Sequence, residues 1–133
     1  MEDTVALGGE GGAPELAPAR VGDGAAEGTD MGPLITAEHR DKVRGYIDAG
    51  EAAGATLVAD GRTGDHPQEG YFLGTTLLDH VTPEMTVYTD EIFGPVLSVV
   101  RVETYEEGLE LINSNQYANG TAIFTRDGGA ARA

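Results

Sequence analysis

The chain has no cysteine. That excludes disulfides, thiolate metal sites and a cysteine nucleophile, and it suits a cytoplasmic protein. Basic residues are also scarce: 8 Lys and Arg face 23 Asp and Glu, for a formal charge of -15. Nucleic acid and anionic membrane both demand a Lys/Arg surface, so neither is an expected partner. The negative charge reads as a solubility device before it reads as a docking surface. No stretch has the apolar length of a membrane span. The start Met1-Glu2-Asp3 lacks the basic and hydrophobic regions of a secretory signal. With 133 residues, the chain can build one modest core.

The segment from Met1 to about Arg20 is rich in glycine, alanine and acids, and has no aromatic residue. It offers too little apolar area to offset its ordering entropy, so residues 1-20 are expected to be disordered. From Val21 the text is turn-rich, up to Met31-Gly32-Pro33. Thr36 is a good N-cap, Glu38 suits the first turn, and Val43, Tyr46 and Ile47 form one apolar stripe. A helix is therefore expected there, stopped by Gly50 or Gly54. A strand at Thr56-Leu57-Val58, a loop over 60–70 and a strand from Tyr71 to about Leu78 should follow.

Thr82-Pro83-Glu84 reads as a second helix start. Val96 to Val102 is apolar at nearly every position, as in a strand covered on both faces. Thr104 and Glu107 match a capping box, opening a helix that carries Leu109 and Ile112 inward. Thr121 to Thr125 should be a last strand, and Asp127 could cap one more helix. Alternating strands and helices of this length imply an α/β architecture with a largely parallel sheet and covering helices. The chain ends on an element barely begun, as an incomplete domain would.

The most informative run is Glu91-Ile92-Phe93-Gly94-Pro95, followed directly by the apolar strand. Pro95 presets its own φ, and Gly94 removes a side chain that would crowd the turn. Glu91 and Phe93 should then be held at a strand mouth, offering a ligand one hydrogen-bond acceptor and one apolar face.

This run closely resembles the nicotinamide-binding signature of the aldehyde dehydrogenases. Asp30-Met31-Gly32-Pro33-Leu34 also resembles a recurrent segment of that family. The stretches Asp79 to Met85 and Gln116 to Asp127 look like one branch, the CoA-acylating methylmalonate-semialdehyde dehydrogenases. The resemblance runs from about Val21 to the C-terminus, so residues 21-133 are expected to be part of an aldehyde dehydrogenase catalytic domain. It implies NAD as cofactor, a semialdehyde as substrate, CoA as acyl acceptor, and a role in valine and pyrimidine catabolism. It also implies a homo-oligomer for the full-length enzyme. In that chemistry a cysteine thiolate attacks the aldehyde, hydride passes to NAD, and the thioester is released to CoA. By the same resemblance Glu91 accepts hydrogen bonds from the nicotinamide-ribose hydroxyls and Phe93 packs beside the nicotinamide ring. Without a cysteine the chain carries no catalytic nucleophile of the family, and is expected to be a fragment inactive alone.

Plainer readings stand beside these. Taken alone, Glu91 is a solvated acid and Phe93 a core residue. His39, His66 and His80 have no metal-pair spacing and read as surface histidines. Asp65, His66 and Glu69 read as a solvated turn, and Ser98 shows no partner for a nucleophile. Gly8-Gly9 and Gly11-Gly12 do not follow an expected strand, so they are not read as a phosphate loop. The competing functions are a non-catalytic relic and a small acidic α/β binding module.

Overall fold

Capping chemistry starts α1 where the sequence places it. In a computed structural model, which describes residues 3–8, 16, 19–117 and 120–132, α1 spans Ala37–Ala52. The Thr36 hydroxyl accepts from the His39 backbone N–H at 3.1 Å, satisfying one of the orphan donors of the first turn. Gly54, at φ +103, takes the left-handed conformation that stops the helix. Gly50 lies inside α1 instead: a Cβ there would meet Leu78 and Val87 at 3.0 Å. It lets the helix approach the sheet closely.

Among the described residues, four strands form one sheet: β1 (Asp3–Gly8), β2 (Thr56–Ala59), β3 (Thr76–Asp79) and β4 (Val96–Val102), in the order β1-β4-β3-β2. β4 pairs in parallel with both β1 and β3, while β2 runs antiparallel to β3. Two of the three pairings are parallel, which fits the expected architecture. α2 (Thr86–Thr89) is one turn between β3 and β4, and α3 (Tyr105–Ser114) follows β4.

The core forms where the α1 stripe meets the sheet. Val43 and Ile47 are fully buried and cluster with Leu73, Leu78, Val81, Val87, Ile92, Val96 and Val100. Leu77 and Val99 alternate to the opposite faces of their strands and are buried as well. β4 is thus covered on both sides, as its unbroken apolar run requires.

Several expectations need correction. Within the segment expected to be disordered, Asp3–Gly8 is a strand, with Val5 opposite Val99. Thr4-Val5-Ala6-Leu7 is apolar and β-prone enough to pair once an edge is offered. The glycine run therefore does follow a strand; residues 9–15 lie outside the described residues. β3 begins at Thr76, not Tyr71, although Leu73 is still buried. Thr82 closes a turn with Met85 (3.1 Å), and α2 starts only at Thr86, with Met85 as its N-cap.

Glu107 does reach back, but to the N–H of Glu103 at 2.8 Å, one residue before the cap. Leu109 and Ile112 are exposed at 37% and 40% and do not point into the core. Residues 121–125 form no strand. With β1 on one side of β4 and β3 on the other, β4 has no free edge left to offer.

Asp79 at the end of β3 is 3% exposed and meets Arg101 through two bonds of 3.0 and 2.8 Å. The Arg101 guanidinium holds this carboxyl below the usual carboxylate range, helped by the His80 N–H. A carboxyl depressed in the folded state stabilises the fold above its unfolded pKa, about 4. That stability is lost as pH falls through the depressed value. Asp79→Asn should therefore be less stable than the parent at pH 7 by roughly 1 kcal/mol, because the guanidinium remains partly in water. The difference should shrink as pH drops below about 4. Urea unfolding at pH 7 and pH 3 checks this; a gap that persists at pH 3 would show that geometry, not charge, is at stake.

Candidate functional site

The Glu91–Pro95 corner is shaped by an alternation. Ile92 is buried at 3% exposure, an anchor in the core. Its two neighbours are turned outward: Glu91 is exposed and Phe93 is 59% exposed. Phe93 also sits at φ +58. For a bulky residue this left-handed conformation costs on the order of 1–3 kcal/mol and persists only where the surroundings impose it. A strained backbone carrying an aromatic ring into solvent marks a site better than either feature alone.

The surroundings that impose it lie on α1. His39, Val43 and Tyr46 fall at i, i+4 and i+7, on one face of the helix. The His39 ring meets the Phe93 carbonyl, Nε2 to O, at 2.7 Å. A carbonyl only accepts, so Nε2 must carry the proton. Val43 packs against Gly94: a Cβ on Gly94 would lie 2.7 Å from both γ-carbons of Val43. The Tyr46 hydroxyl donates to Asp90 at 2.9 Å, and Thr89 donates to the other Asp90 oxygen at 3.0 Å. On the far side, the Thr76 N–H donates to the Pro95 carbonyl at 2.8 Å, tying the corner to β3.

Both residues singled out in the sequence are thus brought together, on one short turn between α2 and β4. Among the described residues, no hydrogen bond or ion pair engages the Glu91 carboxylate. The corner offers an acceptor-only group beside an exposed apolar ring, and the binding chemistry it suits is a diol next to a flat ring system. The site is an open edge; two concavities lie elsewhere, one along α3 and one between Arg20, Asp65 and His66.

Other side chains are occupied structurally. Arg62 binds Asp60, Asp48 and Glu51 and pins the 60–70 loop to α1; these carboxylates raise its pKa, and Arg62 in turn holds the Asp60 carboxyl below the usual carboxylate range. Ser98 is 3% exposed and donates to the Val87 carbonyl at 3.1 Å. No group of three or more His, Asp or Glu is placed to hold a metal among the described residues. The sequence reads His39 as a surface histidine and Tyr46 as part of the apolar stripe, and does not disclose their hold on the corner. Their shared helix face was visible in the spacing, but their partners lie 54 and 44 residues away.

Most of the chain is matched by known proteins. The aldehyde dehydrogenase family model matches residues 13–133, a start earlier than the expected Val21. A malonate-semialdehyde dehydrogenase of Pseudomonas aeruginosa is 57% identical over 122 residues, 90% of this chain and 24% of that protein. The methylmalonate-semialdehyde dehydrogenase structure from Oceanimonas doudoroffii superimposes with a TM-score of 0.82 at 55% identity, covering 86% of this chain and 24% of that one. A betaine aldehyde dehydrogenase from Staphylococcus aureus, solved with NAD+, gives 0.78 at 35% identity over 85% of this chain and 23% of its own. The chain spans about a quarter of the length of the curated relatives it matches. With nearly all of its length matched, the chain belongs to the aldehyde dehydrogenase family.

Proposed function

We propose that this chain is the nicotinamide-facing portion of an NAD-dependent, CoA-acylating dehydrogenase of malonate or methylmalonate semialdehyde. The observation that carries the reading is the corner itself: Glu91 and Phe93 turned outward around buried Ile92, with Phe93 held at φ +58. The residues present fit this cofactor. A carboxylate matches the two hydroxyls of a ribose, and an exposed ring matches the flat nicotinamide. NAD would supply the hydride acceptor. Glu91 would bind the ribose diol, and Phe93 would cover one side of the ring and exclude water from it. The names of the relatives favour a short semialdehyde bearing a carboxylate as substrate. Use of CoA rests on the family resemblance.

The test is a chimera in which residues 13–133 replace the matched segment of the Pseudomonas aeruginosa enzyme. Glu91→Gln in that background should cost about 1–3 kcal/mol, the range for a lost charged hydrogen bond. The loss should appear in equilibrium NAD binding and in single-turnover NADH formation, since ring placement governs hydride transfer. If both stay at the level of the parent chimera, Glu91 is a solvated surface acid and the reading fails.

A further inference from the structure

His39 is half-buried in the first turn of α1, and its backbone N–H already serves the Thr36 cap. Its ring does something separate, reaching the Phe93 carbonyl at 2.7 Å across 54 residues of sequence. That carbonyl belongs to the residue with φ +58, the strained link of the corner. A peptide at φ near +60 relaxes toward negative φ by rotating its flanking peptide planes, and rotation swings the carbonyl. A donor fixed on a capped helix opposes that rotation. Nε2 donates both in the neutral Nε2–H form and in the imidazolium, so the clamp survives protonation. Val43, one turn along the same face, closes on Gly94. His39 thus supplies the polar half of a two-point grip and Val43 the apolar half.

We propose that His39 is a positioning residue for cofactor binding: through the Phe93 carbonyl it keeps Phe93 left-handed, and so keeps the ring and the Glu91 carboxylate facing outward together. This rests on the reading of Glu91 and Phe93 as the nicotinamide-end contacts.

The test uses the chimera and the 133-residue chain. In the chimera, His39→Ala should weaken NAD binding and slow single-turnover NADH formation about tenfold each, the worth of one lost hydrogen bond. His39→Gln, whose Nε2 also donates, should restore both to within about threefold. A residue with a merely structural role would lower the yield of folded protein and leave the affinity of the folded fraction unchanged, and that result overturns the proposal. So does failure of Gln to rescue. If Glu91→Gln weakens NAD binding while His39→Ala does not, the clamp fails and the site reading stands. If neither substitution matters, the site reading has failed and the clamp with it. In the chain alone, the Phe93 backbone carbon shifts report its conformation by NMR. They should leave left-handed values in His39→Ala and return in His39→Gln; left-handed values retained in His39→Ala overturn the proposal without any cofactor present.

Discussion

Purified alone, the 133-residue chain should form no NADH from malonate or methylmalonate semialdehyde, with or without CoA. The chemistry inferred for the longer enzyme begins with a thiolate attacking an aldehyde, and this chain contains no thiol. Among the described residues, no other side chain is ready to replace it. Ser98 is the most sheltered hydroxyl of its strand, but it is 3% exposed, its proton goes to the Val87 carbonyl, and no base adjoins it. The single lysine, Lys42, lies over the Tyr46 ring at 5.7 Å and shows no acid–base partner that would activate it. The corner offers only an exposed acceptor carboxylate, Glu91, and an exposed apolar ring, Phe93. The expected result is absorbance at the blank level over hours at high protein concentration. Turnover at even a small fraction of the ~10 per second typical of enzymes would overturn it, and with it the view that this chain contributes binding groups and no nucleophile.

What the sequence makes legible here is what local chemistry decides. Thr36 caps α1 because its hydroxyl needs only a donor three residues away, and Thr104 caps α3 for the same reason. The unbroken apolar run of Val96 to Val102 announces a strand covered on both faces, and the Gly94-Pro95 corner announces the turn before it. Non-local pairing is where the reading stops. β1 needed β4 as its partner, more than ninety residues on, and the glycine- and acid-rich text around Thr4-Val5-Ala6-Leu7 concealed it. Residues 121–125 have strand-like composition but find no strand partner. Leu109 and Ile112 carry helical spacing, yet spacing names a stripe and not what covers it. The site divides the same way. Glu91 and Phe93 could be picked from their own run of residues, whereas the grip that aims them comes from a helix half the chain away.

That grip makes Gly94→Ala the most damaging small change available at the corner. The new methyl would fall 2.7 Å from both γ-carbons of Val43, well inside van der Waals contact. Val43 cannot swing aside: it is fully buried, and a β-branched residue in a helix has essentially one χ1 rotamer. Nor can α1 retreat easily. Thr36 fixes its start, Ile47 is fully buried, and Gly50 seats it against Leu78 and Val87. The corner must move outward instead, drawing the Phe93 carbonyl from His39. Overpacking of this kind costs about 1–3 kcal/mol, read as a lower urea midpoint with an unchanged slope. In the chimera, displacement of the nicotinamide end by about 1 Å should slow hydride transfer on the order of 10²-fold. Val43→Ala makes room for the methyl. Combined with Gly94→Ala, it should therefore lose less than the sum of the two single changes, by about 1 kcal/mol or more. Strict additivity, or a Gly94→Ala chimera that unfolds and reacts like its parent, would mean that Val43 does not set the position of the corner, and that its aim comes from β3 and β4 alone.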